Sequence, residues 1–553
     1  MGTRVCLGNF CGFLAPTLLL LTGCGGSSVK TSTSLNPVPA PVAPQTFTSV
    51  LTFHNDVART GQNLTETVLT HASVNSSSFG KLFSVPVDGK VDAQPLYVSQ
   101  LVLSDQLAHS VVFAATEHDS VYAFDAKTGG VYWQVTLLAA EETPSDDLGC
   151  SQVTPEIGIT ATPVIDLTAG LHGTIYLLAM SKDAAGDYHH RLHALDITTG
   201  QEEFGGPVEI AASSPGTGDN SANGQIIFDP RQYNSRPGML LLNGVVYTGW
   251  GSHCDFPPYT GWLIGYDRLT LRQTTVLNFA PNGRRAALWN SGAGMAADAA
   301  TGKIFVAVAD GTFDTTLDTN GFPAQRDFGN AFVRLSVVNG QLAVEDYWTM
   351  SNTVSESSQD EDLGSGGVML LPDLTNASGQ TIKLGTGAGK DGQLYVFDRT
   401  NMGKFNPESN NTLYQELDGA LGGVVFSTPA WFDGTVYYGA VGDPIRAFKV
   451  SAARLTTPPA SMTDTFFEYP GATPAISANG TSDPILWVVE NVNPAVLHAY
   501  NATNLADELY NSNQASSGRD QFGAGNKFIV PTIADGRVFV GTTNSVVVFG
   551  PIQ

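Results

Sequence analysis

Charged residues are scarce in this sequence, and basic residues are scarcer still. Only 14% of the 553 residues are charged, and 27 Lys and Arg stand against 51 Asp and Glu, which gives a formal net charge of −24. Because each phosphate contact requires a basic side chain, this balance excludes a basic-patch binder of nucleic acid and argues against an anionic bilayer surface as a partner. The hydrophobic content of 42% excludes a disordered chain and predicts a large core.

Cysteines and long apolar runs are also few. The chain has 5 Cys, and after residue 24 the only ones are Cys150 and Cys254. Beyond the N-terminal residues, no stretch approaches the roughly 18 apolar residues that a membrane-spanning helix requires. The sequence therefore predicts no membrane-spanning helix in the body of the chain.

The first residues indicate export. Arg4 precedes an apolar run at 12–21, which leads into Leu-Thr-Gly-Cys at 21–24. This segment resembles the lipobox of bacterial lipoproteins, and the resemblance implies a signal peptide at 1–23 and a diacylglycerol on Cys24. An ordinary signal peptide that contains a cysteine is the alternative.

The residues after Cys24 predict a tether. Positions 24–48 are rich in Ser, Thr and Pro and show no hydrophobic period. We therefore expect an extracytoplasmic protein that is attached to a bacterial membrane by its lipid alone. Gly25 occupies the position where an Asp retains lipoproteins in the inner membrane, so the outer membrane is favoured.

A short apolar pattern recurs eight times along the chain. Its first and fourth positions are large and apolar and lie on opposite faces of a strand, so each copy predicts a strand that is buried on both faces. The copies lie at 121–125, 192–196, 263–267, 332–336, 394–398, 445–449, 497–501 and 546–550. A β-rich run precedes each copy, and a third element that begins near Pro or Gly precedes that run. Several runs are joined by Asn-Gly or Asp-Gly, as at Asn243-Gly244, which predicts tight hairpins.

Four-stranded antiparallel units in series, with no helical period between them, predict an all-β fold of the β-propeller type. The last copy ends close to the C-terminus and leaves no room for a fourth strand, whereas the apolar segment 81–87 precedes the first unit and belongs to none. We predict that residues 49–553 form an eight-bladed β-propeller of four-stranded antiparallel blades, with the ring closed by this N-terminal strand. Seven blades are the alternative.

One segment carries a specific resemblance. Residues 123–133 read Ala-Phe-Asp-Ala-Lys-Thr-Gly-Gly-Val-Tyr-Trp and resemble the A-x-D-x-x-T-G-x-x-x-W docking motif of pyrroloquinoline-quinone (PQQ) repeat propellers, and 194–204 repeats it with Phe at the end. The resemblance covers about 79–553. It implies that the Asp and Gly shape a turn and that the Trp docks between blades. These scaffold roles fall on Asp125, Gly129, Trp133, Asp196 and Gly200.

The resemblance leaves three functions open. PQQ-like propellers include quinone-dependent dehydrogenases and the lipoprotein of the outer-membrane barrel-assembly machine. The dehydrogenases often have two adjacent cysteines over the quinone, which this sequence lacks, and their calcium ligands and catalytic Asp match no local motif here. We therefore expect a binding or scaffold protein first. A PQQ- and Ca²⁺-dependent dehydrogenase of alcohols or sugars is the alternative, with Glu117, Asp119 and Glu156 as hypothetical bases, and a barrel-assembly factor is the second alternative.

In a propeller, the loops that lead into the inner strands share one face with the loops between the second and third strands. The longest of the latter are acidic, and calcium prefers such oxygen ligands, although solvated loop carboxylates without any ligand explain them equally well. The candidate ligand residues on this face are Glu117, His118, Asp119, Glu156, His253, Asp255, Asp310, Asp314, Lys390 and Asp391, with Asp183, Asp187 and Asp327 beside them. We expect their ligand to be a protein or a small molecule of unknown identity, and not nucleic acid.

Cys150 and Cys254 fall on this same face, before the inner strand of the second unit and in a long loop of the third. Disulfides persist in exported proteins, so we expect these two cysteines to form a bridge between adjacent blades. Free thiols, or a weak metal site at 252–255, are the alternatives.

Overall fold

Each of the eight apolar repeats lies in the third strand of a separate antiparallel sheet in the computed structural model of the chain. The structure describes residues 48–552. The predicted signal peptide, the lipidation site Cys24 and the tether up to residue 47 lie outside the described residues and stay predictions. Within the described part, no helix is long and apolar enough to cross a membrane.

The eight sheets follow one another along the chain, and four strands in hydrogen-bonded order make up the body of each. Sheet 1 contains Leu96–Val102, Ala108–Ala115, Ser120–Asp125 and Val131–Thr136. Sheet 2 contains Val164–Asp166, Thr174–Lys182, Tyr188–Asp196 and Val208–Glu209. Sheet 3 contains Leu240–Leu242, Val245–Gly249, Trp262–Asp267 and Gln273–Asn278. Sheet 4 contains Ala296–Asp298, Lys303–Ala307, Phe332–Val338 and Gln341–Trp348.

The second half of the chain repeats this organisation. Sheet 5 contains Met369–Leu370, Leu384–Ala388, Leu394–Asp398 and Gln415–Leu417. Sheet 6 contains Ala430–Phe432, Thr435–Tyr438, Asp443–Ser451 and Ser461–Phe467. Sheet 7 contains Ala475–Asn479, Ser482–Glu490, Val496–Asn501 and Glu508–Asn511. Sheet 8 contains Thr532–Ala534, Arg537–Gly541, Ser545–Pro551 and, from the N-terminal part of the chain, Phe79–Pro86.

Short elements decorate the sheets. The additional strands are Gln62–Asn63, Thr143–Pro144, Ser213–Pro215, Ser221–Ala222, Gln225–Ile227, Tyr233–Asn234, Gly251–Ser252, Leu374–Thr375, Thr381–Ile382 and Arg454–Leu455. The helical segments are the α-helix Thr353–Ser358 and the 3₁₀ turns Asn290–Gly292, Leu363–Ser365 and Ser516–Gly518.

The core lies between the sheets. Each sheet shares a buried apolar cluster with the next one along the chain. A further cluster joins the last sheet to the first and contains Phe539 and Val548 of sheet 8 with Tyr97 and Val112 of sheet 1. Strands that are apolar on both faces are therefore buried on both faces, as the repeat pattern predicts.

The PQQ-like motif residues lie where two sheets meet. The Asp125 carboxylate accepts the backbone N–H groups of Lys127 at 2.9 Å and Thr128 at 2.7 Å, which fixes the turn between the third and fourth strands of sheet 1. The Trp133 indole donates to the carbonyl of Ile197 in sheet 2 at 3.1 Å. A Cβ at Gly200 would lie 2.7 Å from the Trp133 ring, so only glycine permits this approach.

Candidate functional site

A cavity lies where the loops that lead into the first strands converge. Sheets 2 to 8 all contribute side chains to it, and two residues come instead from loops between second and third strands, Asp255 in sheet 3 and Lys390 in sheet 5. Both kinds of loop therefore share one face, which we call the mouth of the sheet assembly. The aromatic residues on the cavity wall are Trp289, Phe426, Tyr469 and Phe528.

Arg236 is the central cation of this cavity. It is only 4% exposed, and no described carboxylate lies within 4.0 Å of its guanidinium. The guanidinium donates one hydrogen bond, to Gln152 Oε1 at 3.1 Å, and lies 4.7 Å from the ring centroid of Phe528 and 5.8 Å from that of Trp289. Burial lowers the pKa of Arg236, although not enough to discharge an arginine at neutral pH. The positive charge of Arg236 is therefore buried, and the guanidinium has further N–H groups that donate no hydrogen bond to a described residue.

Lys527 adds a second unpaired cation on the same wall. Its ammonium lies 5.4 Å from the Tyr469 ring centroid and forms no ion pair with a described residue. Burial, with the nearby charges of Arg236 and Lys90, lowers the pKa of Lys527. In a chain with a formal charge of −24, two neighbouring basic groups with no described carboxylate within 4.0 Å favour an anion, although Asp92 lies near enough to offset part of their charge.

The opposite side of the cavity is acidic. Asp255, Asp310 and Asp360 each place a carboxylate oxygen within 4.8 Å of the others. The Lys390 ammonium lies 2.8 Å from Asp360 Oδ1 and 2.7 Å from Asp362 Oδ2. These distances would suit a divalent cation, and Lys390 already neutralises part of the cluster.

Asp310 lies deepest in the acidic cluster. It is 1% exposed, pairs with the Arg285 guanidinium on one side, and has no hydrogen-bond partner among the described residues for its Oδ1. Burial, reinforced by the neighbouring Asp362, raises the pKa of Asp310 to about 8. Asp310 also lines a second cavity of about 850 Å³, together with Arg284, Thr312 and Ser357. It therefore forms part of the wall between the acidic cluster and this second cavity.

A disulfide joins Cys150 to Cys254, with 5.5 Å between their Cα atoms. Its two loops carry Gln152 and Asp255, and both of these side chains line the mouth cavity. The bridge therefore fixes the loop that orients Arg236 through Gln152 relative to the loop that carries the acidic wall. His253, beside it, is 2% exposed and lies behind the wall rather than in the cavity.

Solved structures are similar to this arrangement, whereas no protein-family model and no curated protein sequence matches the chain. Quinohemoprotein alcohol dehydrogenase ADHIIG of Pseudomonas putida HK5 and the quinohemoprotein alcohol dehydrogenase of Comamonas testosteroni both match with a TM-score of 0.60, at 13% and 14% identity, over 91% of this chain and 80% of theirs. A europium-containing methanol dehydrogenase matches with a TM-score of 0.55 and 12% identity, over 91% of this chain and 98% of its own. This chain has the fold of the PQQ-type β-propeller. At these identities the similarity is one of fold alone.

Within this PQQ-type propeller, the first candidate bases are not at the mouth cavity. Glu117 and Asp119 are fully buried where sheet 1 meets the loop before sheet 2. Glu117 Oε2 accepts the N–H of Gly158 at 2.8 Å and the hydroxyl of Thr160 at 3.0 Å, and burial together with Asp92 raises its pKa well above the usual range. Burial and Glu117 raise the pKa of Asp119 in the same way.

The two exposed members of that predicted group pair with each other. His118 Nδ1 lies 2.9 Å from Glu156 Oε1, on the surface of the same region. Neither residue lines the mouth cavity.

Several predicted acids organise their own loops. Asp314 Oδ2 accepts the N–H of Gln325 at 2.8 Å, and Asp183 Oδ1 accepts the N–H of Asp187 at 2.9 Å, so both carboxylates close turns. Asp391 accepts the hydroxyl of Tyr395, and burial raises the pKa of Asp391. Burial likewise raises the pKa of Asp327 to about 6.

Sequence reasoning missed the cations Arg236 and Lys527, the aromatic residues of the wall, and Asp360 and Asp362 of the acidic cluster. Arg236, Phe426 and Tyr469 directly precede the small-residue and proline segments that begin the first strands, and Phe528 lies three residues before Pro531. The signal was an aromatic or basic residue recurring just ahead of those prolines in several units. This recurrence can be recognised as a binding-site signal only when the structure shows that the loops converge.

Proposed function

We propose that the eight sheets of this propeller form one closed ring of eight blades, and that its mouth cavity binds a small anionic ring compound. The protein then acts as a binding protein through its loop-rich face. The shared apolar cluster between sheets 8 and 1 supports the closed ring, as does the hydrogen bond from the Thr532 hydroxyl to the carbonyl of Pro95 at 2.6 Å.

The observation that carries the binding proposal is the buried guanidinium of Arg236. A charge withdrawn from water costs several kcal/mol unless a partner compensates it, and Arg236 has one neutral hydrogen-bond acceptor and two aromatic faces. A ligand carboxylate offers the missing charge and two acceptor oxygens in the geometry that guanidinium prefers. Lys527, on the same cavity wall, would pair with a second acidic group of the ligand.

The aromatic walls define the rest of the ligand. Trp289 and Phe528 already accept the planar Arg236 side chain over their rings. A flat ring placed between Tyr469, Phe426 and Phe528 would gain both apolar burial and stacking. The expected ligand is therefore planar and carries at least one carboxylate.

PQQ is a candidate ligand because its charge matches that of the cavity wall. PQQ is a fused-ring quinone with three carboxylates, so Arg236 and Lys527 match its charge and Trp289 matches its rings. When bound, the quinone would supply a two-electron acceptor. The acidic cluster offers Ca²⁺ enough oxygen atoms, but an ion there must compete with Arg285 and Lys390, which already pair with two of its carboxylates.

Asp310 favours a second candidate function, an oxidoreductase. A buried carboxyl with a raised pKa, whose Oδ1 has no hydrogen-bond partner among the described residues, is suited to accept a proton from an alcohol once it is ionised. Asp310 lines the second cavity, which has room for such a substrate. In this function, Arg236 would still hold the cofactor and Asp310 would be the base.

The test is a calorimetric titration of the protein with PQQ and with benzene-1,2,4-tricarboxylate, each in the presence and in the absence of Ca²⁺. We expect Arg236→Gln to weaken binding of both anions at least tenfold, or about 1.4 kcal/mol. Arg454→Gln is the matched control, because Arg454 also stacks on an aromatic ring, Tyr414 at 4.8 Å, but lies outside the cavity. The control should bind as the unaltered protein does.

The outcomes separate the two functions. Binding of both anions that Arg236→Gln weakens and Arg454→Gln does not, without reduction of a dye in the presence of alcohols or sugars, supports the binding protein. Dye reduction that Asp310→Asn abolishes, while PQQ binding persists, supports the oxidoreductase. If neither anion binds, or if both arginine variants behave alike, the proposed site is wrong.

A further inference from the structure

Residues 50–63 run through the interior of the sheet assembly and contact the first strand of every sheet, or the residue before it. Their backbone contacts follow the order of the sheets from sheet 1 at Val50 to sheet 7 at Gly61, and the Asn63 side chain then contacts sheet 8. Sheet 3 is contacted out of this order, by the Arg59 side chain. The backbone pairs, in chain order, are Val50 with Tyr97, Leu51 with Ile165, Val57 with Ala297, Ala58 with Leu370, Thr60 with Trp431 and Gly61 with Ile476, at 2.6–2.9 Å. Side chains supply the remaining two, Arg59 Nη2 to the carbonyl of Met239 at 3.2 Å in sheet 3 and Asn63 Nδ2 to that of Ile533 at 3.0 Å in sheet 8.

These contacts lie at one level of the molecule. Except in sheet 3, the residue that is contacted is the second residue of the first strand. The cavity residues precede those strands, so the segment lies beneath the mouth cavity. Its two ends, at Ser49 beside Ser99 and at Leu64 beside Gly480, lie further along the first strands, toward the face opposite the mouth.

Arg59 locks the segment in place. It is fully buried, has no described carboxylate within 4.0 Å, and donates to the carbonyls of Met295 at 2.9 Å and Phe53 at 2.9 Å and to the Thr52 hydroxyl at 2.8 Å. One guanidinium thus joins sheets 3 and 4 to both limbs of the segment. Burial lowers the pKa of Arg59 to about 10, so it remains charged at neutral pH.

His54 and Gly61 complete the packing. The two ring nitrogens of His54 lie 2.8 Å from the carbonyls of Arg59 and of Pro474 in the approach to sheet 7. Gly61 has a φ of +67°, and a Cβ there would lie 2.4 Å from the His54 ring. Only glycine allows the chain to turn this closely over the imidazole.

The segment also closes the space under the cavity. Phe53 is 2% exposed and packs with Ala293 and Val530. These two residues follow the cavity residues Ser291 and Phe528 by two positions each. Phe53 therefore lies directly below the cavity.

We propose that residues 50–63 are an intramolecular plug, a strap that closes the centre of the ring beneath the mouth cavity and links all eight sheets into one cooperative unit. The cavity is then a blind cup that ligands reach from the mouth alone. The inference is independent of the proposed ligand, because it rests on contacts within the chain.

Hydrogen exchange measured by mass spectrometry on the full chain tests the plug. The backbone N–H groups of Ile165, Ala297, Leu370, Trp431 and Ile476 donate to plug carbonyls, so their exchange reports on the plug directly. In Arg59→Met we expect all five to exchange at least tenfold faster together, although Arg59 itself contacts sheets 3 and 4 alone. Arg454→Met, at an exposed site, serves as the control and should leave them unchanged.

A local change contradicts the plug. If Arg59→Met accelerates exchange around Met239 and Met295 alone, the segment does not link the sheets. If Arg59→Met does not fold, Thr52→Val decides, since it removes one acceptor of the guanidinium and leaves the rest. A smaller acceleration at all five sites supports the plug, and acceleration at none or in one sheet overturns it.

Discussion

The chemistry of the mouth cavity depends on a few side chains whose burial is costly. Arg236 keeps its charge at 4% exposure with no carboxylate of residues 48–552 within 4.0 Å, so the folded protein carries an electrostatic cost that a ligand anion would offset. The acids that sequence reasoning favoured behave differently. Asp183 and Asp314 cap their own loops, and Glu117 and Asp119 are buried and do not line the cavity.

This difference has a physical origin. A carboxylate in a loop can satisfy itself with the N–H groups of neighbouring residues, so acidic loops form without any ligand. Single arginines and aromatics ahead of a strand carry no such local signal. Of the predicted ligand residues, Asp255 and Lys390 line the mouth cavity and Asp310 lines the adjoining one, because their loops converge there.

Glu356 provides a residue-level test of the electrostatics near the second cavity. Burial, reinforced by Asp391, raises the pKa of Glu356 from 4.5 to about 7. The folded state therefore holds this proton more tightly, and the stability that it contributes is fully present below about pH 4.5 and is lost as the pH rises through about 7. Glu356→Gln cannot ionise, so its free energy of unfolding should fall less between pH 5 and pH 8, by on the order of 2–3 kcal/mol.

Thermal unfolding of both proteins at the two pH values checks this expectation. The stability of the unaltered protein should decline more between pH 5 and pH 8 than that of the variant. Parallel pH profiles would mean that Glu356 titrates normally in the folded protein.

At the scale of elements, the strands were the most predictable part of the molecule. A strand that is buried on both faces needs apolar side chains on both, and this requirement leaves a pattern that all eight third strands show. The turn after the third strand of sheet 1 was equally predictable, because Asp125 accepts hydrogen bonds from two backbone N–H groups within the next three residues. A turn of this kind can be predicted because its hydrogen bonds join residues that are close in sequence.

Trp133 tests the docking between sheets 1 and 2. Its indole packs on Gly200 and donates to Ile197, so Trp133→Ala should lower the free energy of unfolding by about 2–3 kcal/mol through lost contacts and a cavity. Tyr132→Ala on the same strand is the control, because Tyr132 is 37% exposed and contacts sheet 1 alone. Urea unfolding of the two variants measures the difference, and equal losses would show that Trp133 does not dock the sheets.

The disulfide tests the loops of the mouth. It closes a segment in which Cys150 and Cys254 are 104 residues apart, and disulfides typically stabilise a fold by about 2–4 kcal/mol, with loop closure of this length giving an upper value of about 4.7 kcal/mol. The double variant Cys150→Ser, Cys254→Ser should therefore unfold at lower urea concentration. It should also bind the anionic probes several-fold more weakly, since Gln152 and Asp255 lose their fixed positions. Unchanged stability and unchanged affinity would contradict both expectations.

At the scale of the whole molecule, the chain topology determined which long-range contacts could be predicted from the sequence. The pairing of Phe79–Pro86 with the C-terminal strand followed from counting, since the last unit lacked a strand and the N-terminal segment lacked a unit. No comparable count of strands or units predicts the plug. Residues 50–63 have no hydrophobic period, and backbone groups make most of their contacts, with partners in seven strands and at Met239 that are spread over more than 400 residues.

The similarity to quinohemoprotein dehydrogenases concerns this architecture, with a TM-score of 0.60 and 13–14% identity. In this chain the mouth cavity brings two cations that form no ion pair with a described residue near an acidic cluster paired with Lys390 and Arg285. The central claim is that this cavity recognises negative charge on a planar ring.

The most direct measurement compares PQQ with its uncharged trimethyl ester by calorimetric titration of the unaltered protein. The two compounds share ring size and shape and differ in the charge that Arg236 and Lys527 would meet. We predict that PQQ binds and that the ester binds at least tenfold more weakly, a difference of about 1.4 kcal/mol or more. Equal affinities, or no binding of PQQ, would contradict recognition of an anion by the buried guanidinium.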